Sequence, residues 1–344
     1  MEKIQILYLT ERMDNYSGAT YQREIINEIQ KKFRVFLYGP GYEHFDMKDN
    51  ISDIISKAPF KIQVLIMGHS WLSDEKKNNK ISAFSHLDFS FVQIPKIAIL
   101  NKEYVNLTKK LEYIKKNEFD ICFTHHHDAK KYEKEIGIRF YYWPFAMNAD
   151  KFLYSGEPKK NDFAFSGILK NHYHKQSDKR LEIMKELFFS VFHIPLIKKP
   201  KYRNKKIVWN VKPINLIAKI YNKFLFNFYH FHNDDEYANF IKESKIYLNT
   251  LSPADLISPR YFECMAAKSL ILCEETNLYE NLFPKNTYVS FQGIESFRDK
   301  LNYYLNNDGE REKIVNNAFL FVKENHSWKA RVIELEREIQ KIFK

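Results

Sequence analysis

The stretch DEYANFIKESKIYLNTLSPADLISPRYFECMAAKSLILCEE, Asp235–Glu275, decides the fold. It reads as helix, strand, helix, strand. DEYANFIKES opens on acidic residues, which suits the start of a helix. KIYLNT and SLILC are short apolar runs without clean alternation, the mark of strands buried on both faces. Such strands separated by a helix imply a parallel sheet covered on both sides. Between them Ser258 fits an N-cap and Pro259 the first helical position, so a helix is predicted from there to about Lys268. Its N-terminus would present free N–H groups, a positive dipole end and the Arg260 guanidinium, a combination suited to phosphate.

Working outward, the same alternation fills the chain. IQILYL, FRVFLY, IQVLIM, KIAIL, FDICFT and RFYYW are strand-like, and ATYQREIINEIQKKF and VNLTKKLEYIKKN are amphipathic helices between them. PFAMNADKFLYSGEPKKND, with Pro144, Gly156 and Pro158, reads as a linker. Strands restart at FAFSG and continue through FFSVFHIPLI, KKIVWNV, KIYLNT, SLILC and TYVSF. From IESFRDKLNYYLNN onward the chain reads as helical, with Gly309 separating two helices. The expected fold is therefore α/β, two Rossmann-like doubly wound parallel-sheet domains flanking a cleft. They cover residues 1–155 and 156–325, with a basic aromatic insertion at 196–232 and a C-terminal helix at 326–344 that could cross back to the first domain.

Composition sets the outer limits. With 344 residues, 44% hydrophobic and 16% aromatic, the chain is globular and long enough for two cores. Cys122, Cys264 and Cys273 sit in apolar surroundings with no CxxC spacing, which argues for a reducing compartment and against a structural metal. No apolar run approaches the roughly 18 residues a membrane span needs, and the N-terminal run is too short for a signal peptide, so a cytoplasmic protein is expected. Of the net charge of +11, nine positive residues and no acidic one fall between Leu196 and His232. The excess is local.

In open α/β sheets ligands bind beyond the carboxyl ends of strands, which draws attention to LSPADLISPRYFE after KIYLNT. Arg260 and Glu263, three apart on a helix, share a face. A cation and a carboxylate so placed can divide a nucleotide between them, phosphate on Arg260 and ribose hydroxyls on Glu263. The plainer alternative is a surface ion pair on a capped helix.

These residues resemble a known family. SPRYFECMAAKSLILCEE, followed by LFPKNTYVSF, IESFRDKLNYYLNNDGEREKI and ENHSWKARV, looks like the C-terminal half of GT-B glycosyltransferases, nearest to the group 1 and CgeB-like branch. FDICFT, YYWPFAMNADKF and NDFAFSG resemble the end of the acceptor domain, the crossover and the first donor-domain strand. The resemblance implies a glycosyltransferase that moves a sugar from a UDP- or GDP-type donor to a glycan or lipid-linked acceptor, in bacterial surface polysaccharide or glycoconjugate synthesis. By the same resemblance Glu263 binds the donor ribose and Arg260 the diphosphate, and Asp255 stands where the retaining enzymes have a first glutamate. Gly167 matches the glycine that lets a loop approach the nucleotide. Lys170 and Arg180 follow it as candidate phosphate contacts, each also readable as a solvated charge. The family usually has a glycine where this chain has Lys268.

The chain has no D-x-D motif to hold a divalent ion, so transfer without metal or other cofactor is expected, with cations and helix dipoles stabilising the leaving diphosphate. In FTHHHDAKK, His125, His126 and His127 follow a predicted strand. His126 and His127 are candidates to activate an acceptor hydroxyl or contact the donor sugar, with Asp14 in TERMDNYSGATYQRE as a rival base and Asp255 as a further catalytic candidate. Consecutive histidines point in different directions, which argues against a metal site there. The segment 196–232 interleaves lysines with Trp209, Tyr221, Phe224 and other aromatics, and could dock the enzyme on an anionic membrane or cover the donor-domain sheet. Two other classes share some of these features. One is a non-catalytic nucleotide-sugar binder; the other, a nucleic-acid-binding protein, lacks any helix-turn-helix, zinc-finger or RRM pattern.

Overall fold

The computed structural model describes residues 2–13, 20–69, 71, 81–167, 177–191, 206–211, 233–252 and 255–343. The chain forms two compact units, Met1–Phe145 with Trp328–Lys344, and Ala146–Ser327. The first unit runs β1 (Gln5–Leu9), α1 (Thr20–Lys32), β2 (Arg34–Tyr38), α2 (Ile51–Ser56), β3 (Val64–Met67), β4 (Lys96–Leu100), α3 (Leu107–Lys116), β5 (Ile121–Thr124), α4 (Ala129–Ile136) and β6 (Arg139–Tyr142). Its six strands are ordered β2-β1-β3-β4-β5-β6, all parallel. β3, β4 and β5 are buried at every position, so each apolar side chain contributes on either face. Burying one Leu or Ile fully is worth about 1.5–3 kcal/mol, which explains why these runs lack alternation.

The second unit runs α5 (Ala149–Phe152), β7 (Asn161–Gly167), α6 (Ser177–Val191), β8 (Ile207–Val211), α7 (Asp234–Lys242), β9 (Ser244–Asn249), α8 (Pro259–Ala266), β10 (Leu270–Glu274), β11 (Val289–Phe291), α9 (Gly293–Asn306) and α10 (Asp308–Asn325). Its five parallel strands are ordered β11-β10-β9-β7-β8. One face packs Ile246, Leu248, Leu270 and Leu272 against Ile183 and Leu187 of α6 and Phe297 and Leu301 of α9. On α8 the buried residues include Tyr261, Phe262, Cys264 and Met265, and Phe240 of α7 meets Tyr247 of β9 edge-on. The last helix, α11 (Trp328–Ile342), belongs to the first unit, where the Trp143 indole donates to Arg331 O at 3.1 Å and Arg331 Nε donates to Pro144 O at 2.8 Å. Residues 146–155 lie in the second unit, where the Tyr154 N–H donates to Ala266 O.

Two elements differ from the pattern in the sequence. The run FFSVFHIPLI is predicted as a strand, but Phe188–Val191 continue α6. Buried Ile183, Met184 and Leu187 recur at helical spacing, and that face carries the helix through residues of high β propensity. The break expected at Gly309 falls at Asn307, with φ −125° and ψ 74°, and Gly309 lies inside the first turn of α10. Asp308 and Glu310 favour a helix start there, and a first turn tolerates glycine because its N–H groups have no intrahelical partner anyway. Most of the basic segment 196–232 lies outside the described residues.

Candidate functional site

Both sheets are wound outward from an inner strand, so each has a topological switch point where the crossover changes side. In the second unit this lies between β7 and β9, which end at Gly167 and Asn249. Gly167 has φ +151°, and a Cβ there would lie 3.2 Å from Phe165 Cζ and 3.6 Å from Arg260 Nη1. The positive φ and the close Phe165 ring are what favour glycine there, and the guanidinium lies at ordinary contact distance. Arg180, on α6, is only 5% exposed, donates from Nε to Thr250 Oγ1 at 2.7 Å, and lies 5.7 Å over the Phe165 ring. Burial, and then the charge of Arg260, lower its pKa to about 10. The solvated reading of Arg180 is therefore corrected: it is buried, and near enough to Arg260 for the two charges to interact.

Arg260 is the second residue of α8. Ser258 takes the N-cap position with extended backbone and Pro259 takes the first helical position, as the spacing predicts, but the Ser258 hydroxyl makes no capping bond. Arg260 Nε donates to Tyr237 Oη at 3.4 Å, and Tyr237 Oη donates to Glu263 Oε2 at 2.7 Å. Burial opposes the Arg260 charge, yet Tyr237, Tyr247 and Glu263 around it more than compensate and raise its pKa above the ordinary value. Glu263 is 5% exposed. Tyr247 Oη pairs with Ser166 Oγ at 2.5 Å, one residue before Gly167. Asp255 is exposed, with φ +58°, and immediately precedes Leu256, which bridges back to Ser252. Asp14 and Lys170 lie outside the described residues.

The first unit's switch point lies between β1 and β3, and different chemistry occupies it. His69, two residues past β3, receives the Tyr8 hydroxyl at Nδ1 (3.4 Å) and meets His125 Nε2 through its own Nε2 at 3.1 Å. His125 Nδ1 faces Trp143 O at 2.7 Å and must carry the proton there. The His125 ring stacks on Phe145 with centroids 4.0 Å apart. Burial lowers the pKa of both imidazoles, that of His125 to about 4. Glu103, 4% exposed, accepts from Thr124 Oγ1 at the end of β5 at 2.7 Å, while its Oε2 meets no partner among the described residues. Burial raises its carboxyl to about 7.

His126 is 6% exposed and its Nδ1 accepts the Asp128 N–H at 3.1 Å; His127 is partly open. Ligand atoms of His126, His127 and Asp128 lie within 4.8 Å of one another, close enough to share a cation. The N–H already on Nδ1 and the positive end of α4 oppose one.

Of the residues singled out in the sequence, the fold puts Gly167 at the end of β7 near Arg260, Arg260 and Glu263 together on α8, and Arg180 over Phe165 of β7. Sequence reasoning missed Tyr237 and Thr250, whose roles depend on packing between elements. It also missed His69, which the position just beyond β3 could have signalled.

The comparisons with known proteins point to one class, the glycosyltransferases. Residues 205–337 match the family model described as Glycosyl transferase-like. No curated protein sequence matches the chain. A glycosyltransferase from Rickettsia africae shares the fold with TM-score 0.66 at 13% identity, over 100% of both chains. Anabaena HepE, solved with UDP and glucose, gives TM-score 0.65 at 10% identity, over 98% of this chain and 100% of that one. T4 phage BGT, solved with UDP and Mn2+, gives TM-score 0.58 at 14% identity, over 98% of this chain and 99% of that one. At these identities the likeness is one of fold. Among the described residues no helix is long and apolar enough to cross a membrane.

Proposed function

We propose that the chain transfers a sugar from a nucleoside-diphosphate donor to a glycan or lipid-linked acceptor. The observation that carries the reading is the Arg260 guanidinium lying toward Gly167 at the second switch point, with the buried Arg180 near enough for the two charges to interact. Two neighbouring cations in a buried setting repel, and a diphosphate relieves that repulsion while gaining charge-assisted hydrogen bonds. As the sugar leaves, negative charge grows on the diphosphate, and the guanidinium groups with the α8 N-terminus stabilise it there. Glu263 takes ribose hydroxyls. A catalytic metal is not required by this arrangement, since the cations supply the charge that a divalent ion would bring. UDP is the first nucleotide to try, because structural neighbours were solved with it.

In the first unit, His126, His127 or Asp14 would serve the acceptor, while the locked ring of His125 would not. Docking of 196–232 on anionic lipid would suit a lipid-linked acceptor in surface-polysaccharide synthesis. The test is a thermal-shift panel of UDP, GDP, ADP and CDP, run with EDTA and again with Mn2+. A ligand at 100 times its Kd stabilises by about 2.7 kcal/mol, so a true donor base gives a clear shift. One base is expected to stand out, equally in EDTA. A flat panel would sink the donor reading, and a shift seen only with Mn2+ would sink metal independence.

A further inference from the structure

Tyr237 belongs to no motif, yet its phenol joins the two groups assigned to the nucleotide. Oη donates to Glu263 Oε2 at 2.7 Å and accepts from Arg260 Nε at 3.4 Å. The phenol comes from α7 and its partners from α8, so the bonds tie two helices at the site. Its ring is set from behind, edge-on to Phe152 of α5 with centroids 5.8 Å apart. Asn233 fixes the start of α7 by accepting the Glu236 N–H at 2.9 Å.

An arginine and a glutamate three residues apart on one helix attract each other directly. Direct pairing would occupy the cation meant for phosphate and the carboxylate meant for ribose. The phenol meets the guanidinium at Nε while Nη1 lies toward Gly167, and it fixes the carboxylate through Oε2. We propose that Tyr237 is a positioning residue of this site: by bridging Arg260 and Glu263 it keeps one for diphosphate and the other for ribose, and so sets the discrimination between ribose and deoxyribose nucleotides. The inference rests on the nucleotide reading above.

The test is calorimetry on the full chain with UDP, 2′-deoxy-UDP, 3′-deoxy-UDP and inorganic pyrophosphate, for the parent and Tyr237→Phe. The parent should prefer UDP over at least one deoxy analogue by about tenfold or more, because a site built to bond a hydroxyl rejects a ligand lacking it. In Tyr237→Phe that preference should shrink to within about threefold, while pyrophosphate binding changes by less than about threefold, since the phosphate cations remain. A purely structural tyrosine would weaken all four ligands alike and leave the ratio unmoved. Should the variant fail to fold, 3-fluorotyrosine at position 237 keeps the ring and alters only the strength of the hydroxyl as a donor. The ratio should then move by about twofold or more, as expected for a change in one hydrogen bond. An unchanged ratio in a folded variant overturns the positioning role and leaves the nucleotide reading standing. A parent that binds neither UDP nor GDP overturns that reading, and this inference with it.

Discussion

The two units wind their sheets alike and put opposite chemistry at the point where the winding reverses. Between β7 and β9 the second unit gathers Arg180 and Arg260. Between β1 and β3 the first unit gathers Tyr8, His69 and His125, rings that pass one chain of hydrogen bonds to a backbone carbonyl. Each polar atom of that chain finds a partner, so it is stable only while uncharged. The cationic end is stable only at a cost, and the cost is what a bound anion removes. A common topology thus fixes where a site can form, while side chains decide whether it is a receptor or a closed core.

The largest effect should follow from removing the cation at the helix start. Arg260→Met is expected to weaken UDP by about 100-fold, since a charge-assisted bond in a part-buried site is worth roughly 3 kcal/mol. Arg260→Lys should recover only part of this, because an ammonium lacks the planar fork. Calorimetry checks both. If Arg260→Met bound UDP like the parent, the two switch points would not differ in the way described.

The neutral end predicts acid sensitivity confined to the first unit. His125 titrates near 6.5 when unfolded and at about 4 when folded, because burial and, further, the charge of Arg331 disfavour the imidazolium. The folded chain then binds fewer protons than the unfolded chain between those values. Its contribution to stability is fully present above pH 6.5 and is lost as pH falls toward 4. At pH 5 the loss from His125 should be about 2 kcal/mol, from roughly 1.4 kcal/mol per pH unit, but Glu103, raised to about 7, takes up its proton over the same range and offsets it. In Glu103→Gln the histidine effect stands alone, and hydrogen exchange at pH 7 and pH 5, corrected for intrinsic rates, should show β3 and β5 of that variant losing protection while β9 and β10 keep theirs. Equal loss in both units would erase the contrast.

The sequence shows these two ends unequally. The eleven strands among the described residues coincide with apolar runs visible in the sequence, because strands buried on both faces leave unbroken Ile, Val, Phe and Tyr. Arg260 and Glu263 are legible because helical spacing alone puts them together, whereas Gly167 stands out only through the resemblance to GT-B glycosyltransferases. Arg180 lies thirteen residues past Gly167 in the chain, and nothing local reveals that α6 turns it inward onto Thr250. Tyr237 reaches Glu263 only because α7 and α8 lie together in the fold. The histidine pair spans residues 69 and 125, a contact that strand order creates and no spacing rule foresees. Even so, HHH looked like one functional unit, whereas the fold gives His125 to the core and turns His127 outward.

The smallest effect separates a site cation from a structural one. Arg180 and Lys110 are both buried and both donate to neighbouring oxygens, but their surroundings differ. Lys110 Nζ donates to Asn101 O and Lys102 O at 3.1 and 2.8 Å, pinning a loop in which Lys102 and Asn106 have positive φ, and the Glu103 carboxylate lies near enough to favour its charge. For Arg180 the repelling charge of Arg260 outweighs the favourable carboxylate of Glu274, whereas for Lys110 the favourable Glu103 outweighs the repelling Lys102. Arg180→Met keeps an apolar stem against Phe165, removes the repulsion, and leaves a threonine hydroxyl that can rotate to another acceptor. The ligand-free protein is therefore expected to gain about 1 kcal/mol, or roughly 2–4 °C in Tm, while its UDP-induced shift falls. Lys110→Met strands two carbonyls and a buried carboxylate and should lower Tm. A Tm that drops in both variants would make Arg180 a structural tie like Lys110, because only a cation held for an absent anion is strained in the empty protein.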